Sequence, residues 1–246
     1  MSVTHIGKND NIKLLHQLDG QIYHVFQPIY HLKTNQCYGY EALLRSKNYD
    51  TFTLLKIAEE KQKKFDLDFL SIKKSIYAFS QSLKGNGCPL FINIFPSTLI
   101  YLASPFLLDF IKVNPVTAHN RIIIAIKGLE TIGDFAIFKE TIQSLKKAGY
   151  RIALNDVANG ALTLTTNSIT KPDIIKLDKG LSHNLSQSKE KQDCIKRLIH
   201  FCGNDIRLML GGIETFEDLE TAKSLGISYG QGAILGEPMP LYHSSL

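Results

Sequence analysis

Arg121-Ile122-Ile123-Ile124-Ala125-Ile126 is followed by Phe135, Phe138, Ile142 and Leu145 at helical spacing, then Gly149, then Tyr150-Arg151-Ile152-Ala153-Leu154-Asn155. A short continuous apolar run is what a strand covered on both faces carries. An apolar repeat of three and four residues is one face of a helix, and a glycine just beyond it is a stop. Strand, helix and strand in this order make a βαβ unit, and so two parallel strands.

The same alternation continues in both directions. Further strands are expected at residues 24–32, 37–44, 90–94, 173–177, 206–210 and 228–231. Phe69, Ile72, Ile76 and Phe79 mark a helix face, with Leu83 on the same side. Thr215 is placed to cap a helix whose first turn carries Glu217 and Asp218, and Gly226 to end it. About eight strands alternating with helices predict an α/β fold that closes as a (β/α)8 barrel of the TIM type. Neither an internal repeat nor a low-complexity stretch interrupts the pattern. One barrel domain over residues 21–246 is expected, after an N-terminal extension at 1–20. Residues 114–120 and the tail after Pro240 read as linker-like.

Composition excludes several classes. The chain has 246 residues, 44% hydrophobic and 21% charged, with a net charge of +5. That balance suits a globular protein with an anionic ligand, and no dense Lys/Arg stripe argues for duplex nucleic acid. The charges at residues 59–64 mix signs, as a solvated helix face does. The four cysteines, Cys37, Cys88, Cys194 and Cys202, form no CxxC and no zinc spacing, so reduced thiols are expected. The first twenty residues lack the apolar run of a signal peptide, and no stretch is long and apolar enough for a membrane span. A cytoplasmic location is therefore expected.

Ordered motifs then accumulate. Phe26-Gln27-Pro28-Ile29-Tyr30 precedes Gly39-Tyr40-Glu41-Ala42-Leu43-Leu44-Arg45, and Ile92-Asn93-Ile94-Phe95-Pro96 follows. Later come Gly149-Tyr150-Arg151-Ile152-Ala153-Leu154-Asn155-Asp156, Pro172-Asp173-Ile174-Ile175-Lys176-Leu177-Asp178 and Gly212-Ile213-Glu214-Thr215. Gly230-Gln231-Gly232 and Gly236-Glu237-Pro238-Met239-Pro240 close the series. From Phe26 to Pro240 the chain resembles the EAL family, named for the tripeptide at Glu41-Ala42-Leu43. The resemblance implies a modified barrel whose first strand runs antiparallel to the rest. It also implies a site at the mouth where active members hydrolyse cyclic di-GMP with two divalent metals.

The same resemblance marks departures. Ala125 stands where the family has a Glu, Asn155-Asp156 where it has Asp-Asp, and Gly211 where it has the first Glu of Glu-Gly-Val-Glu. Two dications need several carboxylates to hold them. The expectation is a degenerate, catalytically inactive site with no cofactor, or at most one weakly bound Mg2+ or Mn2+ on the remnant ligands Glu41, Asn93 and Asp156. Gly128 and the loop Val157-Ala158-Asn159-Gly160-Ala161 also differ, which puts the family's style of dimer in doubt. Lys176 and Gln231 match catalytic positions as remnants. Gln27, Arg45, Asn93, Asp156 and Glu214 match ligand-binding positions, Arg45 for a phosphate.

Each survivor also has a structural reading. Glu41 can be a relic paired with Lys176, Arg45 a surface ion-pair former, Asn93 a strand-end hydrogen bonder, and Gln231 and Gly232 packing residues. Asp178 is expected to orient Lys176. Lys127 shares a strand face with Ala125. It is expected either to point into the mouth as a surrogate for the metal charge or to extend over the rim into water. Three functions stay open: a non-hydrolysing cyclic di-GMP receptor or signalling regulator, a module that has lost the nucleotide and binds a regulatory protein partner, and a weak residual phosphodiesterase.

Overall fold

Eight strands close into a barrel in sequence order: β1 (Ile22–His31), β2 (Gln36–Ser46), β3 (Leu90–Ile94), β4 (Ile122–Ile126), β5 (Arg151–Val157), β6 (Ile174–Leu177), β7 (Arg207–Leu210) and β8 (Tyr229–Gly230). This computed structural model describes residues 20–82, 87–102, 121–128, 132–157 and 171–241. β1 is antiparallel to both of its neighbours, β2 and β8, and every other adjacent pair is parallel. All eight expected strands are present within two residues of their expected ends; the two-residue differences are at the start of β1, at Ile22, and at the ends of β2, at Ser46, and β5, at Val157.

Seven α-helices run among the described residues: α1 (Thr51–Glu60), α2 (Lys64–Ser80), α3 (Pro96–Leu102), α4 (Phe135–Lys147), α5 (Lys179–Ser182), α6 (Lys189–Cys202) and α7 (Phe216–Leu225). Their ends follow local chemistry. Asp134 accepts from the amides of Ala136 and Ile137 and starts α4. Thr215 caps α7 through the Asp218 amide, and Gly226, at φ +90°, ends it in the left-handed region. Ile72, Ile76 and Phe79 of α2 are buried as their spacing requires, while Leu83 lies outside the described residues. Phe135 departs from expectation: as the first residue of α4 it lies beyond the buried stripe of Phe138, Ile142 and Leu145 and is 48% exposed.

Two apolar layers result. An outer one fills the space between strands and helices. An inner one fills the barrel with Ile29, Phe91, Ile123, Ala153, Ile174, Met209 and Tyr229, among others. No helix among the described residues is long and apolar enough to cross a membrane.

Candidate functional site at the barrel mouth

Strand alternation builds the site from the inner layer. Two residues beyond Phe91, Ile123, Ala153, Ile174, Met209 and Tyr229 stand Asn93, Ala125, Asn155, Lys176, Gly211 and Gln231. Residues two apart share a face, so these positions form the next ring of the barrel, toward the strand C-termini, where barrel sites form. Glu41 joins them from β2, paired in register with Phe91.

Glu41 is the hub. It is 3% exposed, and among the described residues its carboxylate accepts from members of this ring. The Lys176 ammonium donates to Oε2 at 2.5 Å and the Gln231 amide donates to the same oxygen at 2.9 Å. The Asn93 amide donates to Oε1 at 3.2 Å and to the Ala42 carbonyl at 3.2 Å. The Asn155 amide in turn donates to the Asn93 side-chain oxygen at 2.5 Å. Burial pushes the Glu41 carboxyl up. The Lys176 ammonium, its hydrogen bond, the charge of Lys127 and the Gln231 amide outweigh burial and bring it down to about 2.

The altered positions have structural consequences. Ala125 is fully buried in the inner apolar layer, between Asn93 and Ala153 in register. A Cβ on Gly211 would lie 3.2 Å from Lys176 Cε, so the missing side chain is what gives the lysine stem its path. Asn155 is buried, and its Oδ1 accepts from no donor among the described residues. Lys127 is half-buried; its backbone amide donates to the Ile94 carbonyl at 3.1 Å. It lines a cavity of about 180 Å3 beside the mouth together with His24, Arg45, Asp68, Asn93 and Phe95.

Other expected site residues divide. Gln231 and Asn93 enter the ring. Gly232 is required by packing, since a Cβ there would lie 2.0 Å from the Ile213 carbonyl oxygen. Gln27 donates to the Gly236 carbonyl at 3.0 Å, and Arg45 to the Leu44 carbonyl at 2.9 Å from the cavity wall. Glu214 is exposed just before α7. Asp178 does not orient Lys176. β6 ends at Leu177, so the two-residue alternation no longer holds, and Asp178 caps α5 by accepting from the Gly180 amide at 2.7 Å. The side chain of Asp156 and residues 158–161 lie outside what the structure describes.

A profile of the EAL domain matches residues 13–238. The chain belongs to the EAL domain family. Relatives of this EAL domain include the blue light- and temperature-regulated antirepressor BluF of Escherichia coli, 28% identical over 86% of this chain and 53% of its own length. The cyclic di-GMP phosphodiesterase PdeA of Borreliella burgdorferi is 26% identical over 72% of this chain and 27% of its own length. The EAL domain thus spans about half or less of these relatives. Among solved structures, the EAL enzyme Bd1971 in its cAMP- and cyclic di-GMP-bound form aligns at a TM-score of 0.81, with 21% identity, over 94% of this chain and 67% of that one. Klebsiella pneumoniae BlrP1 in complex with calcium and cyclic di-GMP aligns at 0.79, with 23% identity, over 97% and 58%.

Both oxygens of Glu41 already accept from protein donors, the Asn93 oxygen accepts from Asn155, and positions 125 and 211 offer none. Among the described residues no group of three or more His, Cys, Asp or Glu is arranged to hold a metal.

Proposed function

We propose that this EAL domain does not hydrolyse cyclic di-GMP and acts as a signalling regulator that binds the nucleotide. The carrying observation is the Lys176–Glu41 pair, at 2.5 Å in a mouth whose positions 125, 155 and 211 hold no carboxylate. An ammonium engaged as the counter-ion of a buried carboxylate is neither a free base nor neighbour to a metal-activated water. Lys127 adds positive charge to the same centre, a surrogate for part of what a dication supplies without its Lewis acidity. Divalent metal is then dispensable, with at most one Mg2+ or Mn2+ held weakly.

Support for the ligand is Arg45 in the cavity wall, a guanidinium suited to a phosphate, and the cyclic di-GMP in the solved relatives. The antirepressor relative supports a regulatory role. Titration with labelled cyclic di-GMP, with and without Mg2+, tests the reading. Binding is expected in both arms, and Arg45→Ala is expected to weaken it by about 1.5–3 kcal/mol. Linear dinucleotide formed at an enzymatic rate with Mn2+, and lost in Lys176→Ala, overturns the non-hydrolysing part.

A second reading, a protein-interaction module without nucleotide, is favoured by one surface feature. Glu237, where the family has an Arg, is exposed beside Ile234 at 45% and Met239 at 49% exposure. No binding in either arm of the titration selects it.

A further inference from the structure

Along β2 the strand alternation breaks once. In the β1–β2 ladder Ile29 pairs with Gly39 and Tyr30 with Cys37, so Tyr38 is skipped. This bulge turns Tyr38 into the barrel, where it stacks on Tyr229 with ring centroids 4.2 Å apart. Tyr40 points the other way and packs into the outer layer with Leu90. With Tyr38 inward, Cys37 is turned outward, onto the side of Tyr40. Cys88 stands just before β3, next to Pro89, whose carbonyl accepts from the Tyr40 amide of β2.

The two backbones are held close at this point. Tyr40 pairs with Leu90, and its amide donates to the Pro89 carbonyl at 3.0 Å. A Cβ on Gly39 would lie 2.6 Å from that carbonyl oxygen. The backbone around the two cysteines is thereby held close, and the Cys37 thiol donates to the Gly39 carbonyl at 3.7 Å. Both are free thiols and half-buried, so a small oxidant reaches them. They also sit below the shorter of the two ladders that β3 makes: β2 and β3 share two paired positions, whereas β3 and β4 share five.

The geometry points to a redox site at the end of the barrel opposite the mouth, in which Cys37 and Cys88 close as a disulfide that latches β2 to β3. With hydrogen peroxide as oxidant, one thiolate attacks the O–O bond, releasing hydroxide and leaving a sulfenic acid. The second sulfur then attacks the sulfenic sulfur and expels water, so two thiols and one peroxide give one disulfide and two waters. A dithiol reductant reverses it by two exchanges. Burial raises the Cys37 thiol above its ordinary value, so closure is expected to accelerate as pH rises. Neither Cys194 nor Cys202 takes part.

The test treats the purified chain with hydrogen peroxide and follows free thiols, intact mass and the map of disulfide-linked peptides. Expected are a fall from four free thiols to two, a monomer lighter by two hydrogens, and linkage of the peptides that carry Cys37 and Cys88. The thermal midpoint should rise by about 5–10 °C on closure and return with dithiothreitol, because the cross-link restricts the unfolded chain. Cys37→Ser and Cys88→Ser, or the Ala variants if Ser impairs folding, should abolish it, while Cys194→Ser keeps it. Four thiols persisting, linkage of another pair, or stepwise oxygen addition without a disulfide overturns the proposal; the wild-type peptide map decides this without any variant.

Discussion

The mouth ring and the cavity beside it bury ionisable groups in opposite ways. Glu41 is buried against an ammonium and two amides, and stays charged, with its carboxyl held down to about 2. In the cavity wall Asp68 is buried with one backbone donor, the Phe95 amide at 3.1 Å, and burial pushes its carboxyl up to about 6. His24, which lines the same cavity, is hydrogen-bonded to Ser71 through Nε2 at 2.9 Å, has no partner at Nδ1 among the described residues, and is pushed by burial down to about 4. Burial alone drives a group neutral; a counter-ion at contact distance reverses that.

The sharpest way to break the contrast is to remove the counter-ion. Lys176→Met leaves Glu41 buried and uncompensated, and should cost about 3–5 kcal/mol in denaturant unfolding at pH 7. Native Glu41 titrates near 2 against 4.5 unfolded, so its contribution is present above pH 4.5 and is lost as pH falls toward 2. In Lys176→Met the carboxyl moves up instead, and the penalty should fade in acid as it takes a proton. A pH-independent loss below about 1 kcal/mol would mean the pair is no better than an exposed one.

A smaller effect separates the two cavity groups. Asp68 holds its proton more tightly when folded, so its stabilising contribution is complete below pH 3.8 and is lost as pH rises through 6. Asp68→Asn should therefore match wild type at pH 3.5 and exceed it by about 1–3 kcal/mol above pH 7. His24 acts with the opposite sign: its folded value lies below 6.5, so stability is lost as pH falls from 6.5 toward 4. Wild type should be nearly flat between pH 4 and 6, and His24→Gln and Asp68→Asn should tilt that stretch in opposite directions. Parallel tilts would show that the two groups are not set by burial.

The smallest effect tests the room left for the lysine stem. Gly211→Ala places a Cβ 3.2 Å from Lys176 Cε. The stem must shift by a few tenths of an ångström, at a net cost of about 0.5–1 kcal/mol once the stiffer unfolded chain is counted. A stabilised variant would show that the stem has slack.

The strands were legible because burial on both faces leaves an unbroken apolar run, as in β4, where all five residues are buried. α6 carries a stripe that the motifs pass over: Ile195, Leu198, Ile199 and Cys202 recur at helical spacing and pack against the outer layer. Family motifs located Glu41, Asn93, Lys176 and Gln231, but their mutual hydrogen bonds span up to 190 positions of chain and follow only from barrel closure. Asn155 read as a lost ligand, yet its amide braces Asn93. Asp178, expected to orient Lys176, stands one residue past the end of β6 and caps α5. The Ser71–His24 contact had no sequence signal, since a lone histidine and a serine 47 residues apart share no periodicity.

The close fit of Lys176 over Gly211 also ties the positions of the ring to one another. A carboxylate returned to position 211 alone would meet the lysine stem before it met any ligand, and Glu41 would still be engaged by the ammonium. Restoring Asp at 155 alone would remove the amide donor to Asn93. Each single change is thus unfavourable on its own, so positions 155 and 211 are coupled through Asn93, Lys176 and Glu41.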